Sequence, residues 1–165
     1  MEFTPPSDGP RVVGHDDGKV VDLGSLGVRF MIRSEDSGGG FSLVEHPIPP
    51  RTLATPLHRH TNEDEYSFVL EGRMGAQLGD AVVYAEVGDL VFKPRHQWHA
   101  FWNACDGPCR ILEIISPGGF ERLFEEAAEP GEAPSQDVRY GIEFDHESVE
   151  RLCREHDLTF PDPNT

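Results

Sequence analysis

The sequence predicts an all-β fold, an antiparallel barrel or jelly roll, with short helices at its C-terminal end. Three observations carry this. From Lys19 to Ser116 the chain falls into ten short runs rich in Val, Ile, Leu and Phe, each cut off by Gly, Pro or Asp. No helical period interrupts them, and strands that follow one another without crossover helices pair antiparallel rather than as a βαβ sheet. After Pro117-Gly118-Gly119 the apolar spacing changes to that of a helix. A chain of 165 residues is long enough to bury one core without disulfide staples, so a single domain is expected.

Taken in order, residues 1–18 carry Pro5, Pro6, Pro10 and several Asp with no periodicity, and read as an N-terminal arm. Strands are expected at 19–23, 28–33, 41–48, 53–58, 66–71, 74–78, 81–86, 90–92, 98–102 and 110–116. The turns between them include Ser37-Gly38-Gly39-Gly40, Glu71-Gly72-Arg73, Gly79-Asp80 and Asp106-Gly107-Pro108. Phe120, Leu123, Phe124 and Ala127 recur at i, i+3, i+4 and i+7, which predicts a helix that Pro130 ends. A second helix is expected after Asp145 as its N-cap, with Val149, Leu152 and Cys153 on its buried face. Both are too short to be stable alone and should pack on the barrel. The organisation is therefore an arm and first strand over 1–24, a barrel over 25–118 and a helical tail over 119–165, one domain in all.

Charge narrows the partners. Fourteen Lys and Arg against 30 Asp and Glu leave a net charge of −16 with no basic cluster, so nucleic acid and anionic membrane surfaces are excluded as partners. The excess concentrates after Glu121, in a tail that reads as a solvated acidic face. No apolar run approaches the roughly 20 residues that span a bilayer, and residues 1–10 lack the basic start and apolar stretch of an export signal. A cytoplasmic location follows as the expectation, with three Cys that stay free thiols.

The chemistry lies in two blocks. His58 and His60 are two apart in a strand, so they share a face while Leu57 and Arg59 point the other way. Two imidazoles side by side inside a barrel suit a metal, and the following turn returns Glu65 to offer a carboxylate oxygen to the same point. The second block, from Gly88 to Asn103, brings in His99 on a later strand. Parity then puts Ser67 and Val69 with Glu65, and Phe101 with His99, as cavity-lining residues; Met74, Gln77 and Phe92 are weaker candidates. His96 is a candidate for the pocket mouth, with a surface turn the plainer reading. His46, two strands away, is a candidate to reach the pocket, Glu63 and Asp64 read as a solvated loop, and His15, His146 and His156 as surface residues. Tyr66, Phe68, Leu70, Trp98, Ala100 and Trp102 face away from the cavity and need cover, from the arm and tail or from a second chain, which makes a homodimer the expected assembly.

These blocks resemble the two motifs of the cupin superfamily. The first, G-x5-H-x-H-x3–4-E-x6-G, is matched by His58, His60, Glu65 and Gly72; the second, G-x5-P-x-G-x2-H-x3-N, by Gly88, Pro94, His99 and Asn103. Arg51 stands near the place of the opening Gly, and His96 replaces the inner Gly of the second motif. The resemblance implies a double-stranded β-helix and one divalent transition metal per chain held by His58, His60, Glu65 and His99. Fe, Ni or Mn is favoured, and Zn or Cu also suits the donors. Residues 41–50 and the segment from Pro117 to Glu125 further resemble small single-domain cupins related to bacterial quercetin dioxygenases. That implies a metal-dependent dioxygenase acting on an aromatic or enolisable small molecule, with Glu65 as both ligand and catalytic base. The competing reading is a non-catalytic cupin that binds a metal and a small organic ligand as a sensor or carrier, and fold cannot choose between them.

Overall fold

Alternation of buried and exposed side chains along most strands dictates a two-sheet sandwich, because each such strand has one apolar face to hide. The computed structural model describes residues 9–129 and 136–161. Among them, eleven strands form two antiparallel sheets. The six-stranded sheet runs β1 (Val20–Asp22), β2 (Gly27–Ile32), β3 (Ser42–Ile48), β10 (Cys109–Ser116), β5 (Asp64–Glu71), β8 (Leu90–Lys93). The five-stranded sheet runs β11 (Ile142–Asp145), β4 (Leu57–His60), β9 (His99–Asn103), β6 (Arg73–Leu78), β7 (Ala81–Glu86). This is the antiparallel jelly-roll barrel that the strand pattern predicts. Strand β10 shows the rule most clearly: Cys109, Ile111, Glu113 and Ile115 are buried while the residues between them are half-exposed.

The core has two main clusters. Val69, Met74, Ala76, Val91, Phe101 and Ile111 pack in one, and Val28, Phe30, Val44 and Ile115 join Phe120, Leu123 and Phe124 in the other, which seats helix α1 (Arg122–Ala128) on the barrel. Asn103 is fully buried and ties two loops to β9: its Nδ2 lies 2.9, 3.1 and 2.8 Å from the carbonyls of Ile48, Pro49 and Gly107, to which it donates. Across the ladder from Trp102 stands Gly75, where a Cβ would come within 2.1 Å of the indole Nε1. Only glycine admits that ring.

Several expectations change in three dimensions. The strand expected at 53–58 lies instead at Leu57–His60, because Pro56 has no N–H to give a ladder and the segment before it makes only isolated bridges, Thr52 to Thr159 and Leu53 to Trp102. The tail is more than a helical cover. Strand β11 pairs antiparallel with β4, setting Phe144 opposite His58 and Ile142 opposite His60. That pairing draws Asp145 into the strand, so it is not the N-cap of the last helix, α3 (Ser148–His156); Glu147 precedes α3 without a side-chain cap. Ser148 does the joining instead, its Oγ donating to the Asp145 carbonyl at 2.6 Å and accepting the Leu57 N–H at 2.9 Å. A short helix, α2 (Gln136–Tyr140), leads into β11.

Helix α3 keeps its expected face. Leu152 is fully buried against Ala100 and Trp102, flanked by Val149 and Cys153, and His156 stacks on Trp102 with centroids 4.3 Å apart. The tail thus covers the outward side chains of β9. Phe68, Leu90 and Phe92, on the outer face of β5 and β8, remain exposed. The three Cys are free. No helix among the described residues is long and apolar enough to cross a membrane.

Both departures from the glycine pattern keep a left-handed backbone, with φ of 48° at Arg51 and 69° at His96. Such a conformation costs a residue with a Cβ about 1–2 kcal/mol. At Arg51 the backbone N–H donates to the Cys105 carbonyl, and the exposed side chain pairs with Asp106 at 2.8 Å.

Candidate metal centre

Strand β4 delivers His58 and His60 to the inner face, β5 delivers Glu65, and β9 sets His99 directly across the ladder from His58. All four are buried, and each offers a donor atom within 4.8 Å of the others. Glu65 Oε1 lies 3.3 Å from His60 Nε2, and Oε2 lies 3.3 Å from His99 Nε2. The four residues that sequence reasoning brought together are brought together by the fold.

The second nitrogen of each ring shows what the first is for. His58 Nδ1 donates to the Pro56 carbonyl at 2.9 Å and His99 Nδ1 to the Gln97 carbonyl at 3.0 Å, which leaves their Nε2 lone pairs unprotonated. His60 Nδ1 sits 3.3 Å from Glu63 Oε2. Burial, helped by the neighbouring imidazoles, pushes His58 well below its ordinary pKa, and burial also lowers His99 against the pull of Glu65. Both rings are therefore neutral. At His60 burial is outweighed by Glu65 and Glu63, and the pKa rises. The Nε2 atoms of His60 and His99 are buried with no hydrogen-bond partner among the described residues. A buried acceptor left unpaired costs about 1–3 kcal/mol, so this donor set fits a group that the chain itself does not provide. Three imidazoles and a carboxylate are the donors of a divalent transition metal, and these residues fit one.

Glu65 is ionised. Against burial, His60 and Lys93 hold its carboxyl well below the usual carboxylate range. Lys93 was not among the residues expected at the site. Its Nζ is fully buried, 2.6 Å from Glu113 Oε1, 3.3 Å from Glu65 Oε2 and 4.7 Å from the Phe101 ring centroid. Ser67 Oγ donates to the other Glu113 oxygen at 2.5 Å. Burial pushes the Glu113 carboxyl up to about 7 against the pull of Lys93, while Glu113 and Glu65 overcome burial to keep Lys93 charged. The signal for both residues was present in the sequence, since Lys93 stands two from Val91 and Glu113 stands between Ile111 and Ile115, at inward parity. Glu63, read as a solvated loop residue, is buried beside His60.

The site opens on a cavity of about 310 Å³. Its wall includes Leu26, Phe101, Phe120, Phe124, Ile142 and Phe144, with His58, His60 and Glu65 exposed to it and no Arg or Lys among the described lining residues. Of the expected lining residues, Phe101 is in this wall. Ser67 and Val69 point inward but lie beneath it, Ser67 on Glu113 and Val69 in the core. Phe92 is on the wrong side: the alternation of β8 buries Val91 and Lys93, leaving Phe92 outside, stacked on Tyr66 at 5.0 Å. His96 is an exposed turn residue whose backbone N–H, not its ring, reaches the site, donating to the His60 carbonyl at 2.6 Å. Met74 is core and Gln77 bonds the Gly79 carbonyl, so neither lines the cavity.

His46 does reach the pocket, and burial pushes its pKa down to about 4 against the Gly27 carbonyl that its Nδ1 contacts. The unfolded chain takes the proton first, so stability is complete above pH 6.5 and is lost as pH falls toward 4. The folded shift corresponds to about 3 kcal/mol over that window. His46→Phe should remove this share of the pH dependence. Urea midpoints of both proteins at pH 7 and pH 4.5, in the same metal state, check it; parallel losses in the two would refute it.

Comparison with known proteins agrees with the geometry. The cupin domain family matches residues 45–115. A search of curated proteins finds no match. Among solved structures, KdgF from Halomonas sp. superposes with a TM-score of 0.60 at 16% identity, covering 69% of this chain and 99% of its own. A predicted oxalate decarboxylase from Thermotoga maritima gives 0.60 at 18%, covering 65% and 99%. The polyketide cyclase RemF from Streptomyces resistomycificus gives 0.57 at 27%, covering 65% and 79%. Motif, family match and barrel coincide: residues 45–115 match the cupin domain family, and the fold is similar to that of these solved structures.

Proposed function

We propose that the chain is a metal-dependent enzyme, a dioxygenase acting on an aromatic or enolisable organic substrate. The observation that carries this is the juxtaposition of His58, His60 and Glu65 with a cavity whose wall is mostly aromatic and aliphatic. Small anionic substrates call for Arg or Lys clamps, which are absent among the described lining residues, whereas a flat apolar ring fits this wall. His58, His60, Glu65 and His99 would hold the metal, which when bound supplies Lewis-acid and O₂ chemistry at a substrate oxygen. Glu65, ionised, accepts the proton of the substrate hydroxyl that comes within hydrogen-bond reach. Lys93 holds that carboxylate in place, and Phe101, Phe120 and Phe124 keep water from the reacting centre.

One observation favours a second reading. RemF is the most similar in sequence of the three structures compared, and the same cavity would suit a ring-closing reaction on a polyketide-like substrate that consumes no O₂. The test is metal analysis of protein purified without added metal, followed by an O₂ electrode screen over flavonols and other enediols. O₂ uptake with at least one substrate is expected, and Glu65→Gln should then slow it by about 10²–10⁴-fold with metal retained. Substrate loss without O₂ uptake moves the assignment to the second reading. Binding without either leaves a sensor or carrier.

A further inference from the structure

We propose that His46 is a substrate-orienting residue whose Nε2 accepts a hydrogen bond from the cavity's ligand, so that the ligand is an aromatic diol: one hydroxyl at the metal centre, a second at His46. This rests on reading the cavity as the substrate site. His46 is 2% exposed, yet it belongs to the cavity wall, its ring 5.2 Å edge-on from Phe124 and 6.3 Å from Phe101. Nδ1 is spent on the Gly27 carbonyl at 3.0 Å, and a carbonyl accepts only from a protonated nitrogen. The tautomer is thereby set, and Nε2 is a bare acceptor with no hydrogen bond to any described residue. It is also an acceptor across the neutral range, since burial keeps the ring uncharged.

An acceptor in an apolar wall discriminates by hydrogen. A hydroxyl satisfies it, whereas an ether or a carboxylate puts lone pair against lone pair and leaves a buried polar group unpaired. His46 comes from the six-stranded sheet, while His58, His60 and His99 come from the five-stranded one. The cavity wall thus carries His46 as a polar group in addition to the metal donors, with Phe101 and Phe120 beside them and Ser25, Thr55, Glu113 and His146 also in the lining. A flat ring held at both the metal donors and His46 is oriented by its two ends.

The experiment uses the full chain with its metal and two pairs of probes, resorcinol and hydroquinone, each with its monomethyl ether, titrated by calorimetry without O₂. Each probe keeps one hydroxyl for the metal, so only the second anchor is read. Wild type is expected to bind at least one diol roughly 3- to 10-fold more tightly than its ether. His46→Phe should abolish that preference while ether binding stays within about twofold. Equal binding of diol and ether in both pairs of wild type overturns the inference, and needs no variant to do so. A preference that survives His46→Phe overturns it as well. If none of the four binds, the reading of the cavity as an aromatic site falls, and this inference with it.

Discussion

Replacing His58 and His60 together by Ala should take the protein from about one divalent metal per chain to none. The reason is the division of labour at the site. Both imidazoles come from one four-residue strand, and both are buried. Without them the remaining donors are His99 and Glu65, and one Glu65 oxygen already faces Lys93 at 3.3 Å. Losing only the groups that orient metal ligands weakens metal sites by about 10–100-fold, so losing two ligands outright exceeds that. Metal content after dialysis against a weak chelator, with circular dichroism as a check on folding, reads the result. Stoichiometric metal in a folded double variant would place the site elsewhere.

Lys93→Met should cost about 3–5 kcal/mol of stability, the usual penalty for removing one partner of a buried ion pair. For a chain of this length that is a fall in Tm of roughly 6–20 °C. Among the described residues Lys93 is the one cation facing both Glu113 and Glu65, and its loss leaves two buried carboxyl groups without it. Glu113, already pushed up to about 7, would rise further and fold as the neutral acid. A carboxyl raised in the folded state contributes stability at low pH and loses it as pH climbs through the folded value, so the variant should be penalised more at pH 8 than at pH 5. Adding Glu113→Leu should recover part of the loss, because no unpaired acid then remains at that position. A Tm within 2 °C of wild type at pH 8 would show that this network carries no net charge interaction of that size.

Much of this site was legible in one dimension. A strand repeats every two residues, so His58-x-His60 specifies a shared face whatever the rest of the chain does, and the same parity correctly turned Glu65, Ser67, Val69 and Phe101 inward. The helical stripe of Phe120, Leu123 and Phe124 was equally local. Phe92 failed because its face is set by the register with β5, which pairs it with outward Tyr66 and pairs Lys93 with inward Glu65. That register makes the inward set of β8 Val91 and Lys93, and it is not visible within the strand's own four residues.

By itself, then, the sequence determined the all-β class, most strand positions and the shared face of His58 and His60, which follow from periods of two, while the motif resemblance supplied the four donors together. Only the tertiary structure decided what meets across the barrel. Lys93 finds Glu113 from 20 residues away, and Ser67 finds it from 46. Strand β11, far along the tail, closes on β4 and lays Phe144 and Ile142 against the cavity. His46 turns its ring toward Phe101 and Phe124 while its Nδ1 is tied to Gly27. Periodicity tells a residue which side it faces. Which partner waits there depends on the pairing of strands distant in sequence, and that pairing settles whether an inward residue becomes core, ion pair or cavity wall.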